Sequence, residues 1–431
     1  MKNSIIKKIF IIGFTIMIMA TTTCSLSFAA DSNCMYSNEH SSVSTSPLVN
    51  SEVVRISKDF LQKYYFAKDQ YDTFDFSNFT NNKFFLKYIN GKIEADNYES
   101  LAYDKDDKQA YKLTLDCCNI INNENYIMVK INAVISYIYK GADFKSGYGE
   151  ENWLKLNITA NGYDIIDWYT PYNEYDEDLR GILLDFPDND FWSESSCELL
   201  IKQRIKNAKI KEYYDQLKNE HIITSQKPWN NNSKSNNAMN SFHSFNKSNI
   251  SSWAVNNCSL TYPSSGNSNQ VSNYYDFSTL PGNYDCTNFV SHALLAGGTP
   301  IYDTGYSGSG WFFSSISYRS YSWSSVSSLY SFLVNNSSYG PKATELSYTN
   351  IYAPDGYFPY TYGDLIQFHN GSEWIHSGVI TSYIYLYGSS TTLEAGVTSR
   401  SSYNTYTLNK RQSEIYTGNS RRILRLDGYY A

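Results

Sequence analysis

Asp285-Cys286-Thr287-Asn288-Phe289-Val290-Ser291-His292-Ala293-Leu294-Leu295-Ala296-Gly297-Gly298 is the stretch from which the rest of the chain is read. After Asp285 the apolar residues Phe289, Val290, Ala293 and Leu294 recur at helical spacing, and the glycine pair is a stop signal. The stretch therefore predicts one short helix with Cys286 in its first turn. Unpaired N–H groups and the positive end of the helix dipole favour a thiolate at such a position, which suits a reactive cysteine. A small thiol buried among apolar neighbours is the alternative for a lone cysteine, and the sequence downstream decides between them.

Downstream stand Tyr362-Gly363-Asp364-Leu365-Ile366-Gln367-Phe368 and Trp374-Ile375-His376-Ser377-Gly378-Val379-Ile380-Thr381. Each reads as a short strand rich in β-branched or aromatic residues, the first entered through a Gly-Asp turn. Together they predict a hairpin with His376 on its second strand. A third strand follows at Thr391-Thr392-Leu393-Glu394-Ala395-Gly396. A cysteine at a helix start and a histidine on a distant strand are the parts of a cysteine hydrolase, whose partners meet in space and not in sequence.

The succession D-C-T-N-F-V-S, G-G, a tryptophan, G-D-L-I-x-F and H-S-G-V-I-T resembles the amidase domain family of secreted Gram-positive bacterial proteins, papain-like cysteine hydrolases related to the NlpC/P60 and CHAP groups. The resemblance spans Phe245 to the C-terminus. It implies an α+β, papain-like fold with Cys286 as nucleophile and His376 as base. Where the family carries a second histidine this chain has Leu393-Glu394-Ala395, so Glu394 is expected as the third member that orients the imidazole, with Asn404 in reserve. Asp285 either caps the helix or touches substrate. Asp364, in the turn before the first strand, and Trp311 are expected as support. For Trp311 and Trp323 core packing is the competing reading, since Trp323, Val326, Leu329 and Leu333 have helical spacing. His292 lies six residues beyond Cys286 on the same helix and turns away from the cleft. His369 sits on the preceding strand or its turn, and His40, His221 and His243 fall in a spacer, a helix end and a linker.

The basic residues Lys2, Lys7 and Lys8, the apolar run Ile9–Ala20 and the exit Ser27-Phe28-Ala29 predict a signal peptide over 1–29 and an exported, extracellular or wall-associated protein. A disordered spacer is expected over 30–50. Residues 51–221 predict an accessory α+β domain: a helix on Val53, Val54, Ile56, Phe60, Leu61, Tyr64 and Tyr65, then strands at 111–118, 126–139, 153–158 and 164–168. A closing helix follows over 198–218, with Leu199, Ile201, Ile205, Ala208 and Leu217 as apolar positions. A helix on a curved sheet is similar to the cystatin-like or NTF2-like class. Its acidic run Glu174–Asp178 reads as a solvated loop. Residues 222–244 form an Asn- and Ser-rich linker, and 245–431 the amidase domain, with a first helix between Phe245 and Cys258. Residues 251–431 hold only 8 Lys/Arg and 10 Asp/Glu, which supports the boundary.

A net charge of −7 argues against nucleic acid as partner. Outside the signal region no apolar run is long enough to span a membrane. Seven cysteines without a C-x-x-C pair indicate neither a disulfide scaffold nor a zinc site. No metal or organic cofactor is called for, and a monomer is expected. The reading is a secreted cysteine amidase or peptidase acting on peptidoglycan or another peptide substrate. A general extracellular protease and a non-catalytic wall-binding module are the alternatives.

Overall fold

The computed structural model describes residues 47–70, 74–102, 107–160, 162–180, 192–193, 196–220, 241–259, 274–279, 285–346, 352–353, 358–385, 393–402, 404–417 and 420–431. The expected signal peptide, most of the spacer and most of the linker lie outside them. In the first half, α1 (Pro47–Gln70) and α2 (Lys83–Ala102) are followed by β1 (Lys108–Asn122), β2 (Ile127–Tyr139), β3 (Ser146–Thr159) and β4 (Gly162–Tyr169), then α3 (Glu174–Arg180) and α4 (Cys197–Glu220). The second half opens with β5 (Phe242–His243), α5 (Lys247–Asn257) and α6 (Cys286–Ala296). Next come β6 (Phe313–Ser315), β7 (Tyr318–Arg319), α7 (Tyr321–Ser324) and α8 (Val326–Asn335). The chain closes with β8 (Gly340–Leu346), β9 (Tyr352–Ala353), β10 (Leu365–His369), β11 (Trp374–Tyr385), β12 (Leu393–Arg400), β13 (Tyr406–Arg411) and β14 (Arg421–Tyr430). The α+β class is as expected, and among the described residues no helix is long and apolar enough to cross a membrane.

The two halves share one antiparallel sheet, in the order β1-β2-β3-β13-β12-β11-β10-β14-β5. Its seam is short: Tyr406, Thr407 and Leu408 of β13 pair with Gly149, Tyr148 and Gly147 of β3. Further along the same edge of β3, residues 153–159 pair with β4. The seam needs glycine, because a Cβ on Gly149 would lie 2.5 Å from the Tyr406 ring and 2.6 Å from the Asn404 carbonyl oxygen. What the composition presents as a boundary between two domains is thus crossed by main-chain hydrogen bonds.

Three apolar clusters fill the layers. The first packs α1, α2 and α4 on β1–β4, with Trp168 meeting Phe60 and Tyr64 edge-on at 5.4 and 4.5 Å, a geometry worth about 0.5–1.5 kcal/mol per pair beyond area burial. The second lies under α5, α6 and α8 and takes in Leu365, Val379, Leu424 and Leu426 from the sheet. The third lies on the opposite face and holds Ile366, Phe368, Ile380, Ala395, Val397 and Tyr416.

Three sequence expectations change here. The helix α2 goes unread because Gly91 interrupts its pattern, yet the absent side chain lets Gln203 of α4 approach to within 2.6 Å of where a Cβ would stand. On α4 the buried face is Leu199, Gln203, Asn207, Ile210 and Tyr214, while Ile201 and Ile205 are exposed. Polar residues face inward because they bond α2: Gln203 Nε2 donates to the Tyr88 carbonyl at 2.7 Å and Asn207 Nδ2 to that of Gly91 at 2.7 Å. The acidic run is helical and Asp176 is wholly buried, bound by Lys92 Nζ at 2.9 Å, the Thr170 amide at 2.9 Å and the Tyr88 hydroxyl.

Candidate active site

Helix α6 starts at Cys286 because the residue before it is anchored from several sides. The Asp285 amide donates to the Ser401 carbonyl at 3.0 Å. Its carboxylate accepts from Arg400 Nε at 2.8 Å, Asn288 Nδ2 at 2.8 Å, the Phe277 amide at 3.1 Å and the Tyr274 hydroxyl. Arg400, wholly buried at the end of β12, also reaches Asp276 Oδ2 at 2.6 Å. Asp285 therefore makes no side-chain capping bond and is too enclosed for substrate; it locks the helix start to β12. Burial and neighbouring Asp276 raise its carboxyl to about 7, against the pull of Arg400.

The Cys286 thiol is 2 % exposed. Its Sγ lies 4.0 Å from the Ile375 carbonyl and 3.7 Å from Thr287 Oγ1, with the Ser377 amide as a further donor. Below it a polar chain runs from Thr287 Oγ1 to Ser377 Oγ (3.5 Å), Gln367 Nε2 (3.1 Å) and, through Gln367 Oε1, Arg422 Nε (2.8 Å). The expected stabilisation of a thiolate is not met at rest. Burial pushes the thiol up, and the amide and hydroxyl donors offset it only in part.

His376 lies on β11 opposite Phe368 of β10, on the face bearing Ile380 and Val397, whereas Ser377 and Val379 point to the helices. The hairpin is as predicted. The imidazole is 4 % exposed and packs against the rings of Phe368 at 6.0 Å and Tyr416 at 5.4 Å. Tyr416 holds a left-handed φ of 47°, a strained backbone of the kind that gathers at functional sites. No hydrogen bond from a described residue reaches the ring, and burial lowers its pKa to about 4, so it is neutral near neutral pH. The structure thus brings the thiol against the backbone that carries His376, but sets the imidazole on the other side of the pleat. There it lines a cavity of about 120 Å³ whose far wall is built by the first half.

Glu394 is not beside His376. Extending the pairing of Val379 with Thr398 places residue 401 opposite position 376, so Glu394 is seven residues further along β12, roughly 23 Å away at about 3.3 Å per residue. It lies 3.3 Å from Arg411 Nε and accepts from the Ser413 amide at 3.3 Å, within a buried cluster that includes Asp107 and Glu414. Burial raises its carboxyl to about 7. The reserve, Asn404, faces the first half: its Oδ1 accepts from Asn132 at 3.0 Å and its Nδ2 donates to Glu151 at 3.3 Å.

Asp364 is buried and structural, pairing with Lys247 at 2.6 Å and accepting from the Thr361 and Leu426 amides at 2.7 Å each. Trp311 belongs to the core, tilted against Trp323 at 4.7 Å and donating to Ser291 Oγ at 3.2 Å. His292 is buried among Trp253, Tyr274 and Trp323, and both its ring nitrogens lack a hydrogen-bond partner among the described residues. Sequence reasoning missed Arg400, Gln367 and Tyr416. A signal existed for Arg400, a cation inside a strand of a segment that is poor in charge.

Residues 244–417 match the family described as "Putative amidase domain". The matched segment holds Cys286, His376, Arg400 and Tyr416, and it points to amide-bond hydrolysis as the chemistry of the second half. The chain matches no curated protein and no solved structure.

Proposed function

We propose that the second half is a papain-like cysteine amidase in which Cys286 is the nucleophile and His376 the base. The observation that carries this reading is the contact of the Cys286 thiol with the main chain of Ile375–Ser377, the segment bearing the histidine, within a stretch that matches an amidase family. Because successive side chains of a strand point to opposite faces, the pair forms only when the main chain around His376 at the start of β11 rearranges to bring the ring to the thiol's face. The neutral imidazole takes the thiol proton, the sulfur attacks the amide carbon, and the oxyanion is met by main-chain N–H groups, that of Cys286 among them. The protonated imidazole then gives its proton to the leaving amine, and water, activated by the same base, releases the acyl group as a carboxylic acid. Glu394 has no part in this scheme.

The basic start and apolar run of residues 2–20 support export. With the NlpC/P60- and CHAP-like motif order they make an amide or peptide bond of cell-wall peptidoglycan the substrate of choice. One observation favours a second reading, a wall-binding module without chemistry: the thiol does not line the cavity into which His376 faces. Mass spectrometry of peptidoglycan treated with wild type and with Cys286→Ala decides between them. New termini are expected with wild type and none with the variant; equal products from both would remove Cys286 from the reaction, and no products from wild type would leave the binding module.

A further inference from the structure

The cavity beside His376 is walled from five elements of the first half: α1 with Lys68, α2 with Lys92, β3 with Glu150, α3 with Tyr175 and α4 with Lys206. The second half adds Lys410 of β13, Glu414 and Tyr416. Four ammonium groups thus face three carboxylates, those of Asp96, Glu150 and Glu414, in a chain whose net charge is −7. A cleft that reverses the sign of the whole molecule concentrates ligands of opposite charge.

Partners within the fold account for several of these groups. Lys92 is held by Asp176 at 2.9 Å, Lys68 by Asp96 at 3.4 Å, and Glu414 by Lys108 at 3.3 Å and Arg411 at 3.5 Å. Glu150, 9 % exposed, has its oxygens occupied by the Tyr65 hydroxyl at 2.7 Å and Asn173 Nδ2 at 2.9 Å. Lys410 is different. Its ammonium forms no ion pair within 4 Å of a described residue; it lies in the field of the Glu150 and Glu414 carboxylates, whose pKa values it helps to lower, and rests 4.9 Å over the Tyr148 ring. It is half-buried, so a charge-assisted bond there is stronger than on an open surface. A second polar group, the imidazole of His376, is nearly wholly buried in the same cavity and has no hydrogen-bond partner among the described residues.

We propose that this cavity binds peptides carrying a free carboxylate, and that Lys410 is the specificity-determining residue that pairs with it. A carboxylate entering beside His376 meets Lys410 without breaking a direct ion pair, in competition with the more distant Glu150 and Glu414, while the ammonium rests over the Tyr148 ring of the first half. The first half is then a wall of the substrate site, and the class selected is an acidic peptide. This rests on the reading of the His376 cleft as the place where substrate binds.

The test is calorimetric binding to Cys286→Ala, which needs no turnover, with Ac-Ala-Glu-Ala-NH2 and its glutamine counterpart Ac-Ala-Gln-Ala-NH2 as probes. The acidic peptide is expected to bind about ten-fold more tightly at low salt, with the advantage lost in Lys410→Met, kept in Lys410→Arg and reduced at high salt. Equal affinity for the two peptides, an advantage that persists in Lys410→Met, or no binding of either at millimolar concentration would overturn the proposal. Failure of the amidase reading shows separately: discrimination in binding, without hydrolysis by wild type, would leave this inference standing and remove the enzyme. Hydrolysis of both peptides at equal kcat/KM would do the reverse.

Discussion

On the helix-covered face of the sheet, Ser377 and Val379 of β11 meet Thr287 and the apolar layer of α5, α6 and α8, whereas on the opposite face His376 and Ile380 meet Phe368, Tyr416 and a cavity walled by the first half. The first face is closed and ordered by a buried ion network centred on Arg400. The second borders a cavity lined by Lys68, Lys92 and Lys206 of the first half and by Lys410 of β13. A single strand separates them, so the proposed nucleophile and base are divided by one pleat and not by distance along the fold. The difference teaches that the helix face fixes the position of the thiol, while the other face governs the charge state of the imidazole and what reaches it.

The largest effect expected from breaking this comparison is on the closed face. Arg400→Met leaves Asp276 and Asp285 buried without their cation, and removing one partner of a buried pair costs about 3–5 kcal/mol. Denaturant unfolding should show that loss, and Arg400→Met combined with Asp285→Asn should regain part of it. A change below 1 kcal/mol in the single variant would mean that the network does not anchor α6.

At the seam, Gly149→Ala drives a Cβ into Tyr406 and the Asn404 carbonyl, with an expected loss of about 1–3 kcal/mol. The same substitution should weaken acidic-peptide binding, because β3 carries Tyr148 and Glu150 into the cavity. Wild-type stability and affinity together would show that the two halves hold their relation without this contact.

Acid distinguishes the faces through their histidines. His376 titrates near 4 and His292 near 3 in the folded chain, against about 6.5 when unfolded. Stability from keeping both neutral is complete above about pH 6.5 and drains away as the pH falls toward 4 and then 3. For catalysis the acid limb of kcat/KM should fall near 4, since the base stays neutral above it. An acid limb near 6.5 would place the reacting histidine in a solvated setting.

The smallest effect is expected at Glu394. Because it pairs with Arg411, far from His376, Glu394→Gln should leave kcat within about two-fold of wild type. A fall of ten-fold or more, the signature of a lost orienting residue, would show that the two groups meet during turnover.

Local pattern carried much of this molecule. The spacing in α1, the alternation in β1–β4 and the turn at Gly363-Asp364 are properties of a few neighbouring residues, and helix and strand periods follow from them directly. The motif order likewise located Cys286 and the β10–β11 hairpin carrying His376. The burial of Gln203, Asn207 and Asp176 was illegible, because a polar residue is placed inside by a partner distant in sequence.

By itself, then, the sequence determined the α+β class, the helix that begins at Cys286 and the strand that bears His376. Only the tertiary structure decided that Glu394 belongs to Arg411, that Asp285 answers to Arg400, that β3 and β13 join the halves into one sheet and that lysines of both halves line the cavity the imidazole faces. The physical reason is that backbone period depends on near neighbours, whereas strand register, the facing of a pleat and the pairing of buried charges are settled by residues up to hundreds of positions apart. A shift of one residue in that register would have turned His376 to the thiol's side of the sheet.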